Sequence, residues 1–167
     1  MFSFSSQDIM FRLSTSAAGA PCHEIVPRLF LGNAASPKTQ HFALVVNCTR
    51  DLPFEPHVSG IRLAVNDHPN QSLQLLALME ETHVLERIHR TITSGHPVLV
   101  HCFAGMQRSC AVVACYLMRY HQMTAMQAVS FIRGQRPVAF FGGINFAQAI
   151  GTYERTWRAS SSSSSNN

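Results

Sequence analysis

The stretch Val98-Leu99-Val100-His101-Cys102-Phe103-Ala104-Gly105-Met106-Gln107-Arg108-Ser109 joins a strand to a helix. Pro97 to His101 is a short apolar run of the kind that forms a fully buried strand. Cys110 to Met118, directly after the junction, is apolar on all sides, as a helix packed on several faces would be. In open α/β sheets ligands bind at the carboxyl ends of strands, and this junction lies at one such end. The N–H groups that open a helix lack intrahelical partners and can converge on an anion, aided by the positive end of the helix dipole. Gly105 permits the tight curl and any dihedral that a Cβ would forbid. Phe103, Ala104, Gly105, Met106 and Gln107 are therefore expected to cradle a phosphate.

Cys102 stands at the entrance of that cradle. A sulfur beside unpaired N–H groups and a helix N-terminus, with Arg108 close, is favoured as the nucleophilic thiolate. Arg108, five residues further on, is placed to curl back and grip two phosphoryl oxygens with its planar fork. Ser109 offers a hydrogen bond to the sulfur, and His101 offers ring nitrogens to orient the loop.

Outward from the junction, strand and helix periods alternate. Ile25-Val26 and Leu29 to Leu31, broken at Pro27-Arg28, read as a hairpin or bent strand. Ser36-Pro37 opens a short helix as cap and first-turn proline. Ala43 to Asn47 and Ile61 to Val65 read as strands. Leu75, Leu78, Glu81, Leu85, Ile88 and Ile92 recur at three and four, which predicts one long helix that stops before Gly95. Thr124 and Gln127 make a capping box for a helix closed by Gly134, and Asn145 caps a last helix marked by Phe146, Ile150, Tyr153 and Trp157. The expected fold is α/β, a central and largely parallel sheet flanked by helices on both faces.

A chain of 167 residues fits one domain, with 46% hydrophobic and 13% charged residues providing a core. The domain is expected over 21–158. Residues 1–20, Ser/Ala-rich with Phe2, Phe4, Ile9, Met10, Phe11 and Leu13, form either a flexible terminus or a docking segment offering a route to a homodimer. Residues 159–167, dominated by Ser160 to Ser165, read as a disordered tail. The net charge of +4 is dispersed and too small to argue for nucleic acid. No apolar run is long enough to span a membrane, and no secretory leader is visible. Five cysteines without secretory context read as reduced thiols, so an intracellular protein, cytoplasmic and also nuclear, is expected. The histidines are scattered without metal-ligand spacing; neither a metal nor another cofactor is expected.

The 101–109 segment resembles the signature of the protein tyrosine phosphatase superfamily, H-C-x5-R-[S/T], and Ala104-Gly105 with Ser109 makes it similar to the small dual-specificity phosphatases. The resemblance extends over most of Ile25 to Tyr153: Arg28-Leu29-Phe30-Leu31-Gly32-Asn33 is similar to the family's first strand and turn, and Val45-Val46-Asn47-Cys48-Thr49 to its next buried strand. It implies a protein tyrosine phosphatase-like fold. It also implies hydrolysis of phosphotyrosine and of phosphoserine or phosphothreonine in phosphoproteins through a cysteinyl-phosphate. A carboxylic acid must protonate the leaving oxygen. Glu80, Glu81 and Glu86 fall on the solvated side of a helix, and Asp51 and Glu55 in a Pro-rich loop. Asp67 follows the Ile61 to Val65 strand at the same sheet edge as Cys102, in the loop where the family carries its general acid.

The resemblance departs from the pattern twice. Gln107 stands where these phosphatases usually have serine, and either alters the rim of the loop, positions water or points outward. The asparagine that buttresses the family's phosphate loop has no clean counterpart, because Asn145 sits a few residues late and is better read as a helix cap. Asn33 is expected to hold the loop from behind, Arg133 and Arg136 to be solvated or to meet a second phosphate, and Cys48 to be a buried thiol or an oxidation partner of Cys102. Three rivals remain: an RNA 5′-triphosphatase, whose signature usually continues Arg-Thr-Gly; a phosphoinositide phosphatase, which favours lysines in the loop; and a non-catalytic phosphate-binding module, which would lack one of Cys102, Arg108 and Asp67.

Overall fold

In a computed structural model of the chain, residues 19–163 are described. Five strands form one sheet: β1 (Cys22–Val26), β2 (Leu29–Gly32), β3 (Leu44–Asn47), β4 (Gly60–Arg62) and β5 (Val98–His101), in the order β1-β2-β5-β3-β4. β2, β5, β3 and β4 run parallel, and β1 alone is antiparallel, folded onto β2 through a turn in which Arg28 takes a left-handed φ of 68°. Every residue of β3 and β5 is buried, which explains why both read as continuous apolar runs rather than alternating ones.

Five α-helices follow: α1 (Ser72–Glu81), α2 (Val84–Thr93), α3 (Arg108–Tyr120), α4 (Ala125–Gln135) and α5 (Ala147–Ser163). Helices were expected on both faces of the sheet; instead all five contribute to the core on one face. There Leu29, Leu31, Leu44, Val46, Val98 and Val100 share one continuous core with residues of every helix. The opposite face buries Val45 and Leu99, with Phe30 partly buried beside them, under Phe42, Phe54 and Val58, which come from loops. Each fully buried Val or Leu contributes about 1.5–3 kcal/mol. The helical face, with over thirty buried side chains, therefore dominates the stability. α3 runs through its middle with ten consecutive residues buried, Ser109 to Met118.

The single helix expected over Leu75 to Ile92 is two helices. Its buried positions are Leu75 and Met79 in α1 and Val84, Leu85 and Ile88 in α2. A step of five between Met79 and Val84 would turn the second set away from the core in an unbroken helix, and the phase is reset by His83 in a left-handed conformation (φ 49°). Ser36 lies inside its 3₁₀ turn (Ser36–Lys38) rather than capping it; Ala35 takes that place, and the Ser36 hydroxyl donates to Pro21 O at 2.8 Å. The Thr124–Gln127 capping box forms as expected. Gly134, however, does not close α4, which runs to Gln135 and ends where Pro137 forces Arg136 into an extended conformation. α5 carries on to Ser163, past the boundary expected at 158, and Ser160 and Ser161 turn their hydroxyls back onto Trp157 O. The segments 1–18 and 164–167, with any docking or dimer role of the former, lie outside the described residues.

Candidate active site

The parallel strands deliver their chain ends to one edge. After β5 the backbone is held on both sides: Cys102 N–H donates to Gly32 O (3.3 Å), at the end of β2, and Cys48 N–H, past the end of β3, donates to His101 O (2.8 Å). From that anchored point residues 102–107 curl into the N-terminus of α3. Gly105 makes the curl with φ 65°, and a Cβ there would lie 2.5 Å from Gly32 O, so both its conformation and its close packing on β2 require glycine.

The loop closes around the sulfur. Gly105 N–H and the Ser109 hydroxyl each point at Cys102 Sγ from 3.2 Å. Two donors thus converge on a buried sulfur at the N-terminus of a thirteen-residue helix. For the neighbouring thiols, burial, followed by the proximity of Cys102, pushes Cys48 and Cys110 up against the smaller lowering effects of Arg108 on Cys48 and of Arg136 and the Ser109 hydroxyl on Cys110, and burial pushes Cys115 up. They remain protonated, and Cys102 is the candidate nucleophile of the five. All five described cysteines are free.

Arg108 opens α3 and leans across the loop mouth, where Nη1 donates to Val65 O at 3.3 Å and Nε lies 4.0 Å from Asp67 Oδ2. Nε is buried and makes no hydrogen bond, so this guanidinium retains donor capacity for a ligand. The structure thus brings together Cys102, Arg108, Ser109 and Asp67, the four residues singled out from the sequence, although they come from two loops 35 positions apart.

His101 is buried at the end of β5. Its Nδ1 lies 3.4 Å from Cys102 O, Nε2 has no hydrogen-bond partner, and burial lowers its pKa below the ordinary value of 6.5. The neutral ring is therefore the folded form. A group whose folded pKa is depressed binds fewer protons folded than unfolded, so its contribution is full above about pH 6.5 and is lost as pH falls. We expect stability to decline from pH 7 to pH 5 by urea unfolding and the decline to be shallower in His101→Asn; an unchanged slope would remove His101 from the cause.

Asn33 does not bond the phosphate loop. Its Oδ1 accepts from Ala35 N–H at 2.9 Å, shaping its own turn, and that turn holds the loop through Ala34 N–H, which donates to Phe103 O at 3.0 Å. The buttress is instead Arg136, expected to be solvated or to meet a second phosphate. It is 2% exposed, and its guanidinium donates to Gly105 O (2.8 Å), Ala104 O (3.4 Å) and Ala20 O (3.3 Å) and meets His23 Nδ1 at 2.9 Å. Carbonyls that turn outward when a loop points its N–H groups inward need donors, and Arg136 supplies two. No local pattern in the sequence marks it, because its partners lie more than thirty positions away.

Gln107 is buried and points inward. Its Nε2 donates to Phe141 O (3.2 Å) and Gly143 O (2.8 Å), while Oε1 accepts from Asn145 N–H (3.0 Å). Asn145 is not the cap of α5; its side chain reaches away from the helix, and Nδ2 donates to Asp67 Oδ1 at 2.9 Å. Arg133 remains exposed and donates to Phe140 O at 3.2 Å.

A cysteine at the floor of a tightly curled loop, with an arginine and a carboxylic acid at its mouth, is the arrangement expected of a phosphatase that works through a cysteine nucleophile. The family model described as the dual specificity phosphatase catalytic domain matches residues 29–156, and the chain belongs to that family. It is 30% identical over 154 residues to dual specificity phosphatase 28 of Mus musculus, covering 87% of this chain and 91% of that one. It is 28% identical over 140 residues to human dual specificity protein phosphatase 14, covering 79% and 68%. The crystal structure of human DUSP28 superposes with a TM-score of 0.75 at 29% identity, covering 86% of this chain and 99% of that one. The chain is thus an enzyme of the dual-specificity protein phosphatase type, and a cysteinyl-phosphate intermediate is general to its family. The RNA 5′-triphosphatase and phosphoinositide phosphatase readings are not favoured by these matches. Among the described residues no helix is long and apolar enough to cross a membrane, and no group of three or more His, Cys, Asp or Glu side chains is arranged to hold a metal ion.

Proposed function

We propose that this chain removes phosphoryl groups from tyrosine and from serine or threonine side chains of phosphoproteins, with Cys102 as nucleophile, Arg108 as phosphate clamp and Asp67 as general acid and base. The observation that carries this reading is the pair of donors at 3.2 Å from Cys102 Sγ, set beneath Arg108 and Asp67. In the first step the thiolate attacks phosphorus in line, a sulfur–phosphorus bond forms, and the bond to the leaving oxygen breaks as that oxygen takes the Asp67 proton. In the second, Asp67 as carboxylate takes a proton from water, whose oxygen attacks phosphorus and returns the thiolate, with Ser109 donating to the departing sulfur. Arg108 and the loop N–H groups hold the equatorial oxygens in both steps, and such fixed donors provide most of the catalysis in phosphoryl transfer.

The loop itself favours a protein substrate over a polyphosphate or inositol ring. Between Cys102 and Arg108 it carries no cation, and Phe103 is 66% exposed beside the entrance. Side-by-side turnover of a phosphotyrosine peptide, a phosphothreonine peptide, a phosphoinositide and an RNA 5′-triphosphate tests the reading. We expect both peptides to be hydrolysed at the highest kcat/KM; preference for either of the other two would overturn the protein-substrate assignment.

Asp67→Asn tests the acid. Turnover of phosphotyrosine, a poor leaving group, should fall about 10²- to 10⁴-fold. Turnover of an aryl phosphate with a strongly acidic phenol should fall far less in the first step, because that oxygen leaves without a proton. Single-turnover release of the phenol reads that step directly; equal losses on both substrates would assign the proton to another group.

A further inference from the structure

The general acid must present its proton to the leaving oxygen, and the structure shows what holds it there. Gln107 spends its entire amide on the segment joining α4 to α5: both N–H donors go to the carbonyls of Phe141 and Gly143, and the oxygen takes the N–H of Asn145. That segment has little regular structure to support it. Phe140, Gly142 and Gly143 all have left-handed φ values, of 57°, 77° and 128°. It is tied to the phosphate loop also by Phe140 N–H, which donates to Met106 O at 2.7 Å, one residue before Gln107, and at its start by Arg136, which donates to Gly105 O and Ala104 O. The segment, a run of turns closed by bonds such as Ala139 N–H to Arg136 O and Gly143 N–H to Phe140 O, is thus fastened to the phosphate loop at several points, and it ends at Asn145, whose side chain holds Asp67.

The donation from Asn145 Nδ2 to Asp67 Oδ1 has a chemical consequence. In a protonated carboxyl group the oxygen that accepts an N–H is the carbonyl oxygen, so the acidic proton resides on the other. Here the other is Oδ2, the oxygen that faces Arg108 Nε at 4.0 Å and hence the phosphoryl group that Arg108 would clamp. We propose that Gln107 and Asn145 are positioning residues that link the phosphate loop to Asp67 and fix Oδ2 as the proton-donating oxygen. The proposal rests on Asp67 being the general acid. A serine at position 107 is too short to bridge to Phe141, Gly143 and Asn145 together, so in this chain the glutamine does what a serine could not.

The test compares wild type, Gln107→Ser, Asn145→Ala and Asp67→Asn on two aryl phosphates, one releasing phenol and one releasing a strongly acidic phenol, by single-turnover kinetics. A misplaced acid should cost about 10- to 100-fold on the phenol ester, and at most about twofold on the other. Gln107→Ser and Asn145→Ala should both show this split, and neither should slow the phenol ester further when combined with Asp67→Asn. Binding of orthovanadate and the thermal unfolding midpoint report on folding. Asn145→Ala, at a partly exposed side chain, provides the second variant if Gln107→Ser unfolds the loop. Equal losses on both substrates, or losses that persist on top of Asp67→Asn, would overturn the positioning role. If Asp67→Asn shows the split and the other two do not, the proposal fails while the assignment of Asp67 stands; if Asp67→Asn itself shows no split, both fail.

Discussion

Cys102→Ser should lower turnover of every phosphoester by at least about 10⁴-fold, as loss of an activated nucleophile does. Serine keeps the size of the side chain and still meets the Gly105 N–H and the Ser109 hydroxyl, so the loop has no reason to open. What changes is the nucleophile: an alcohol is a far weaker acid than a thiol, and an un-ionised oxygen in a loop without an adjacent base cannot attack phosphorus. The same change replaces the large sulfur beneath the bound phosphate with a smaller oxygen. Phosphopeptide affinity, measured by calorimetry, should therefore be retained or increased while hydrolysis disappears. Residual activity above a few per cent of wild type would show that another group initiates the reaction.

Arg108→Lys should be nearly as damaging, with kcat/KM lowered about 10²- to 10⁴-fold. Lysine retains the positive charge, so a purely electrostatic role predicts a mild effect. The geometry predicts otherwise. The Arg108 side chain is only 12% exposed, one of its nitrogens is committed to Val65 O, and Nε is left without a hydrogen bond beside Asp67. A single ammonium cannot bond Val65 O and also place two parallel donors on a phosphoryl group. Turnover near the wild-type level would contradict the clamp, whereas a loss confined to KM would show that the arginine binds the ground state and the transition state equally.

What was legible in the sequence follows the range of the interactions involved. The phosphate loop was legible because its parts are contiguous: strand, nucleophile, glycine, arginine and helix start lie within twelve residues, and each is dictated by local geometry. The place of Asp67 beside Arg108 was legible because it follows a strand that ends at the same sheet edge as Cys102, in the loop where the resembling family carries its general acid. The supporting shell was not. Arg136 reaches Gly105 O and Gln107 reaches Gly143 O across gaps of 31 and 36 residues, through backbone carbonyls whose position no side-chain pattern encodes. Arginine and glutamine on such a pattern look like surface residues, since both are mostly exposed in proteins. The break at His83 was hidden for a different reason. Counting apolar positions at three and four found a stripe, but Met79 and Val84, the two residues buried on either side of the break, are five apart. Helices on both faces of the sheet was the general expectation for alternating strands and helices; here aromatic residues from loops, Phe42 and Phe54, cover the second face instead.

The most direct test of the central claim, that Cys102 carries the phosphoryl group during turnover, is to trap that species. Asp67→Asn removes the group that activates water, so the second step should slow and the intermediate should accumulate with a substrate whose leaving group needs no proton. Rapid acid quench after mixing this variant with such an aryl phosphate, followed by proteolysis and mass spectrometry, should find one added phosphoryl group on the peptide containing Cys102 and on no other. A burst of released phenol with no phosphorylated peptide, or a phosphoryl group on any residue but Cys102, would contradict the account.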